Sequence, residues 1–257
     1  MTVVPEYCNA LSRKGQFHDI YEKGSWSGVK IKDPADFYGD ARWPPKETRR
    51  GSGSGAGSEL GSNTETSLNI LKDVIMRNGV RSVLDAPCGD ANWILDSYVT
   101  DALLSLYVGL DVVGPVIENN NRRYAHHDNK KFLVWDAIEC GMPKFFNATT
   151  GTEQPFDLVH VRDVIQHVTL HRGVKYFCGI FASGAKLLVT TTYPGTSENT
   201  NIEEGSWYPN NLALEPFSFP TDLENNCSQT HPEQEPDYTC VYDLTLPWVV
   251  DFVAKKC

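Results

Sequence analysis

No run of apolar residues among the 257 is long enough to span a membrane, and the first 15 residues lack the apolar core of a secretory signal. Taken at face value such a chain is soluble and makes no membrane contact, or is the soluble part of a longer protein. Basic residues are also scarce. There are 23 Lys and Arg against 33 Asp and Glu, a net charge of −10. A phosphate-binding surface wants clustered Lys and Arg, and the clusters present are short, so a general grip on nucleic acid is not expected. No cysteine pair has zinc-type spacing, so no structural metal is expected. What is present is 40% hydrophobic and 11% aromatic residues. That suffices to bury the core of one α/β domain without staples.

The cysteine count, seven, is odd. Cys88, Cys140 and Cys178 fall inside segments that read as regular structure, and Cys8, Cys227, Cys240 and Cys257 lie near the ends or in loop-like segments. Cys227 and Cys240 bracket the polar stretch Ser228 to Thr239. They are either a disulfide that closes a loop, which implies an oxidising compartment, or two free thiols. Two N-glycosylation triplets, Asn147-Ala148-Thr149 and Asn226-Cys227-Ser228, point the same way as a bridge and matter only in a secreted context. The compartment stays open between the secretory pathway and the cytoplasm.

Residues 1–48 are polar, with scattered aromatics (Phe17, Tyr21, Trp26, Phe37, Tyr38, Trp43), and read as an arm that packs through single aromatic anchors. Arg49 to Ser58 is Gly/Ser-rich and by composition a flexible linker. From Glu59 the pattern changes. Thr66 to Asn78 has helical spacing and ends at Gly79. Strand-like runs follow at Ser82–Asp85, Leu106–Asp111, Phe132–Trp135, Phe156–Val161 and Lys186–Thr191, with helical patterns around Pro115–Tyr124 and Arg172–Ala182. Strands alternating with helices predict a mostly parallel sheet covered on both faces. Cys240–Val253 is again strand-like and predicts a closing antiparallel hairpin.

In open α/β sheets ligands sit at the carboxyl ends of the strands, near the switch in strand order. After the first strand the chain reads Asp85-Ala86-Pro87-Cys88-Gly89-Asp90-Ala91-Asn92-Trp93. Gly89 lets the backbone approach a ligand, but the loop has too few glycines for a dinucleotide fingerprint and lacks a P-loop Lys-Ser/Thr. A cofactor with an amino-acid end and no phosphate fits better. Asp111 closes the second strand about twenty residues beyond the glycine, where an acid would hold ribose hydroxyls. Asp136 follows the third strand and Arg162-Asp163 the fourth. One Asp after a strand is ordinary turn chemistry, but a row of them on one rim is poorly explained that way.

This ordered set resembles the motifs of class I, Rossmann-like SAM-dependent methyltransferases over about Thr66 to Tyr193. The resemblance implies a seven-stranded, mostly parallel sheet with helices on both faces and a C-terminal antiparallel hairpin, and S-adenosyl-L-methionine as cofactor. It implies that the glycine loop, at Gly89, holds the methionine part, with Asp85, Pro87, Asn92 and Trp93 also at the cofactor. Asp111 would take the ribose and Asp136 the adenine amine, with Val112, Ala137, Arg162 and Asp163 also at the cofactor site. Pro87-Cys88 before a single glycine departs from the commoner family pattern. A narrower resemblance adds the Ser52–Ser58 stretch, Val161-Arg162-Asp163-x-x-x-His167, Thr190 to Pro194, and Asn211-Leu212 to Phe219-Pro220. These are similar to a subfamily that includes fucose 2-O-methyltransferases of the secretory pathway. It makes the Gly/Ser stretch native and implies that Ser52, Ser54 and Ser58 fold over the cofactor. The chain then divides into residues 1–58, an arm with its cofactor-covering segment, and residues 59–257, the methyltransferase domain.

A sugar hydroxyl is a poor nucleophile while protonated, so transfer to it is helped by a base. His167 is the candidate, four residues beyond Asp163, so that a helical turn would put both on one face. Asp163 would then orient the imidazole or touch the cofactor. The other reading is that His167 only packs on the next helix, which Asp163 caps. His160, within a strand, reads as a core residue, and His126 and His127 as solvated. Thr192 to Pro220 can reach the open side of the site. There Tyr193, Trp207, Tyr208 and Asn211 offer the stacking faces and amides that suit a sugar, while Phe217 and Phe219 read as packing. With the narrower resemblance, the expected partner is a glycan or other hydroxyl-bearing acceptor, and the compartment the resemblance implies is the Golgi lumen. The alternatives are a cytoplasmic methyltransferase for a metabolite or protein side chain, or a non-catalytic SAM-binding protein.

Overall fold

The computed structural model describes residues 2–3, 14–26, 52, 54, 58, 61–95, 102–230 and 236–257. The arm's Phe37, Tyr38 and Trp43, together with Cys8 and residues 51, 53 and 55–57, lie outside the described residues.

The strands of the main sheet are β1 (Ser82–Asp85), β2 (Leu106–Asp111), β3 (Lys130–Val134), β4 (Leu158–Val161), β5 (Leu187–Thr192), β6 (Cys227–Gln229) and β7 (Tyr238–Asp243). They lie in the order β3-β2-β1-β4-β5-β7-β6. The first five are parallel, and β7 runs antiparallel to both its neighbours. The expected sheet is therefore present. A second, small sheet pairs Phe145–Asn147 with Thr2–Val3 and Thr152–Gln154.

Every residue of β1, β2 and β4 is buried, as expected for strands covered on both faces. Alternate residues serve different cores. Leu84, Val108, Val159 and Leu188 join a cluster built on Tyr176, Phe177, Phe217 and Phe219. Val83, Tyr107, Leu158 and Val189 join a cluster on the other face with Leu71 and Ile75. The helices are α1 (Lys14–Lys23), α2 (Ser62–Asn78), α3 (Gly114–Arg123), α4 (Ala137–Cys140), α5 (Leu170–Ala182) and α6 (Pro247–Lys256). Gly79, at φ +62, ends α2 with its N–H on the Ile75 carbonyl. Thr169 caps α5 by accepting from the Arg172 N–H.

One expectation is corrected. The strand-like run Cys240–Val253 is a strand only to Asp243, and its second half is the helix α6. Pro247 sits in the first turn, where its missing N–H costs nothing, and Val249 and Phe252 are buried three residues apart on one helical face. The hairpin partner of β7 is instead β6, and Cys227 and Cys240, directly opposite each other, are joined by a disulfide. A second bridge, Cys178–Cys257, ties the end of α6 to α5. Cys140 is bonded too, and among the described cysteines only Cys88 is a thiol.

Candidate cofactor and acceptor site

The strand order reverses between β1 and β4. At the carboxyl ends of these strands lies a cavity of about 350 Å³, within the range of small-molecule sites. Its floor is the loop after β1. The Cys88 N–H donates to the Leu110 carbonyl at 2.7 Å and the Gly89 N–H to Asp111 Oδ2 at 3.1 Å. Asn120 of α3 holds the Gly89 carbonyl at 2.8 Å. Gly89 is at φ +51, and a Cβ there would stand 2.3 Å from Ser54 Oγ. No other residue fits, because backbone conformation and space both demand glycine.

Ser54, a described residue of the Gly/Ser stretch, lies against the glycine loop. Ser54 Oγ is 2.7 Å from the Tyr21 hydroxyl and accepts from the Asp90 N–H at 3.3 Å, while Ser52 Oγ donates to both Asp90 carboxylate oxygens. Ser54 and Ser58 line the cavity; Ser52 is buried behind it as an anchor. From α1 and the turn beyond it, Phe17, Tyr21 and Trp26 form another wall. Burial, with Asp111 and Asp90 nearby, pushes the Tyr21 hydroxyl well above its ordinary pKa, so it stays neutral.

Asp111 ends β2 facing this cavity. Besides Gly89 it accepts from the Val113 N–H at 2.9 Å, yet desolvation outweighs these bonds and raises its carboxyl to about 6. Val112 and Ala137 also line the cavity. Asp136 does not. Its Oδ1 caps α4 by accepting from the Ile138 and Glu139 N–H groups at 3.0 and 3.1 Å, leaving Trp135, Ala137 and Ile138 as the wall beyond β3. Asp85, Pro87 and Trp93 line the cavity, but Asn92 is buried outside it.

His160 is buried, as expected, but it is not merely core. Its Nδ1 lies 2.7 Å from Asp85 Oδ1, Tyr107 donates to the other Asp85 oxygen, and the ring reaches the cavity. Beyond β4, the Arg162 guanidinium lies over the Trp93 ring at 5.5 Å and 3.0 Å from Asp163 Oδ2. Asp163 adopts a left-handed conformation, φ 54, with its N–H on Thr191 Oγ1. Its Oδ1 accepts from Gln166, whose amide also reaches the Tyr193 hydroxyl at 3.3 Å.

The expected Asp163–His167 pairing on a helical turn is not formed. The segment is a single 3-10 turn, Ile165–His167, and the group holding the ring is the Ser206 carbonyl, 2.8 Å from Nδ1. The ring packs on Trp26 at 4.6 Å and lines the cavity. Burial lowers the His167 pKa below its ordinary 6.5, so the ring is neutral at neutral pH. With its proton directed from Nδ1 to Ser206, the basic lone pair is on Nε2.

Of the acceptor-side residues, Tyr193 and Trp207 line the cavity, their rings perpendicular at 6.0 Å. Tyr208 and Asn211 do not. The Tyr208 hydroxyl donates to the Glu198 carbonyl, and Asn211 binds the Pro194 and Thr196 carbonyls and Asn199, so both shape the segment that carries Trp207. Phe217 and Phe219 pack in the core as expected.

Several solved structures share this architecture. Magnesium protoporphyrin IX methyltransferase from Synechocystis PCC 6803 with bound SAM aligns with a TM-score of 0.54 at 12% identity, over 91% of this chain and 98% of that one. The same enzyme with bound SAH gives 0.53 at 12% identity, over 90% and 98%. The methyltransferase domain of bacterial CtHen1-CN gives 0.50 at 15% identity, over 71% of this chain and 100% of its own. The chain has a Rossmann-like methyltransferase fold. No protein-family model and no curated protein matches it by sequence. Within that fold the sequence missed the walls supplied by Phe17, Tyr21 and Trp26, and the reach of His160 into the cavity. The first signal was available: Phe17 and Tyr21 are four residues apart, one face of a short helix.

Proposed function

We propose that the protein is a SAM-dependent O-methyltransferase whose acceptor is a hydroxyl of a glycan, with the 2-OH of fucose as the specific candidate. The observation that carries the reading is the joint placement of Asp111, the Gly89 loop and His167 around one cavity at the sheet switch point. Solved neighbours of this fold with SAM or SAH bound support the choice of cofactor. The residues present suit it. A buried carboxylate held at about 6 against desolvation is relieved by the hydroxyls of a ribose. The Gly89 loop, Asp85 and Arg162 offer backbone, anion and cation to an amino-acid end, and Trp135, Ala137 and Ile138 offer an apolar slot to an adenine.

When bound, SAM supplies a methyl group already activated by its sulfonium. The chain's own task is to align a hydroxyl with it, exclude water and take a proton. Trp207 and Tyr193 offer aromatic faces to a sugar ring, and Trp26, Tyr21 and Phe17 shield the site from solvent. His167 Nε2 takes the acceptor's proton while Ser206 keeps the ring in the required tautomer. The disulfides favour a lumenal compartment, where glycans are made, over the cytoplasmic alternative. The test is incubation with SAM and a panel of fucosylated and unfucosylated glycans, read as a methyl mass shift. SAM binding without transfer to any glycan hydroxyl sinks the acceptor reading. No transfer to any acceptor leaves a non-catalytic binder.

A further inference from the structure

We infer that Asn147 carries an N-linked glycan, added as the chain matures in an oxidising lumen. Two independent observations meet there. Among the described cysteines, Cys140, Cys178, Cys227, Cys240 and Cys257 are bridged and only Cys88 remains a thiol. Such dense pairing marks a chain that matures outside the reducing cytosol, where Asn-x-Ser/Thr triplets are also read. The second observation is the setting of the triplet Asn147-Ala148-Thr149.

Asn147 ends the strand Phe145–Asn147 at the tip of the hairpin that leads to Thr152–Gln154, and residues 148–151 are exposed. Its Oδ1 accepts from the Thr149 N–H at 3.0 Å, and its Nδ2, the atom that would be modified, has no partner among the described residues. The Thr149 hydroxyl, which the transferase must read, is likewise unengaged, since the neighbouring bond at 3.4 Å to the Asn147 carbonyl belongs to Thr150. In the reaction Nδ2 attacks the anomeric carbon of a polyprenyl-diphosphate-linked oligosaccharide. A C–N bond forms, the sugar's C–O bond to the diphosphate breaks, one amide proton leaves to the transferase, and polyprenyl diphosphate departs.

The fold tolerates the addition. The base of the hairpin lies at the amino edge of the sheet. There Phe145 packs on Phe156 at 5.2 Å, and Asp157 accepts from the Ser82 N–H at the start of β1. The cavity is at the carboxyl edge, so a glycan on Asn147 leaves it open. The other triplet is in a less suitable place. Asn226 Oδ1 is held by the Asp222 N–H, Cys227 is bridged to Cys240 across β6 and β7, and Ser228 pairs with Thr239 in the ladder. Closing a bridge between cysteines only 13 residues apart competes with the open conformation a transferase needs.

The test is mass mapping of the full chain purified from the cells that make it. Peptide N-glycosidase F is applied in heavy-oxygen water, which marks each formerly modified Asn as a labelled Asp. The expected result is label at Asn147. In the chain secreted from insect cells, Asn147→Gln and Thr149→Ala should each remove one glycan from the electrophoretic mobility, and Thr149→Ser should retain it. An unlabelled Asn147 overturns the inference, as does a chain whose cysteines are free thiols in those cells. Because methyl transfer is not the readout, failure here leaves the proposed function standing, and loss of that function leaves this inference standing.

Discussion

Replacing Asp111 by Asn should change the pH dependence of stability by an amount the structure sets. The carboxyl is raised from 3.8 to about 6, chiefly by desolvation, against the opposing bonds from Val113 and Gly89. Its folded pKa exceeds the unfolded one. Between these values the folded state therefore holds a proton that the unfolded state does not, and native stability falls as pH rises through that window. The full cost above pH 7 is about 3 kcal/mol, and about 2 kcal/mol of it is swept between roughly pH 4.5 and 7.5. Asn does not titrate, so whatever its amide loses at the Gly89 and Val113 N–H groups is the same at both pH values and cancels. The assay is urea unfolding of both proteins, disulfides intact, at the two pH values. The variant's stability relative to the native protein should rise by about 2 kcal/mol toward the higher pH. A difference that does not move with pH would refute the reasoning, since Asp111 would then not be held against its desolvation. The same change should weaken SAM binding about tenfold or more by calorimetry, since a hydrogen bond to a charged acceptor contributes about 1.5–3 kcal/mol. Native affinity should decline below pH about 6, as the acid protonates.

Gly89→Ala should reduce SAM affinity and lower the melting temperature, because its Cβ meets Ser54 Oγ at 2.3 Å and φ is +51; Ser54→Ala in the same background should recover part of the loss by making room, and no recovery would argue against that contact. His167→Ala should lower turnover about a hundredfold or more with SAM affinity nearly unchanged, and the native acid limb should lie below the ordinary 6.5 because burial depresses the ring. Near-normal turnover in that variant would leave positioning alone to explain catalysis. Asp163→Asn should weaken SAM binding through loss of the Arg162 pair while leaving that acid limb almost in place, since Ser206 holds the ring; a limb that shifts by a full unit would return the orienting role to Asp163. Cys178→Ser should destabilise the fold by up to about 4 kcal/mol, because its bridge to Cys257 closes a separation of 79 residues; an unchanged urea midpoint would contradict it.

Strands β1, β2 and β4 of the parallel half were legible because each is a short, fully buried run that stops at or just before an acid: Asp85, Asp111, Asp163. Local pattern failed where tertiary context decided. Trp248, Val249, Val250, Phe252 and Val253 have strand-like composition, yet Pro247 opens a helix there and β7 already fills the place beside β5. Spacing alone put Asp163 and His167 on one helical face, but a left-handed Asp163 breaks the helix before it begins. The partner that replaced it, the Ser206 carbonyl, is a backbone atom 39 residues away and leaves no mark in side-chain identities. Asp136 was found as an acid after a strand, and the ordinary turn chemistry that governs most such residues prevailed at that position.

The residues around the cavity work against stability in separate ways, and that is informative about what the fold preserves. Asp111 keeps a desolvated carboxylate where an amide would avoid the penalty. Asp163 holds a conformation that costs a non-glycine residue of order 1–3 kcal/mol. Its N–H on Thr191, and its carboxylate between Arg162 and Gln166, fix that conformation from several sides. Packing alone would favour none of this. The bridge Cys178–Cys257 restrains α5, whose Tyr176 donates to the Ala86 carbonyl of the glycine loop. Glu203 to Ser206 form one turn, just before Trp207, that α1 touches through Gln16 at Glu204 and Ile20 at Gly205. The turn whose Ser206 carbonyl holds the His167 ring therefore packs on α1, the helix whose Phe17 and Tyr21 line the same cavity.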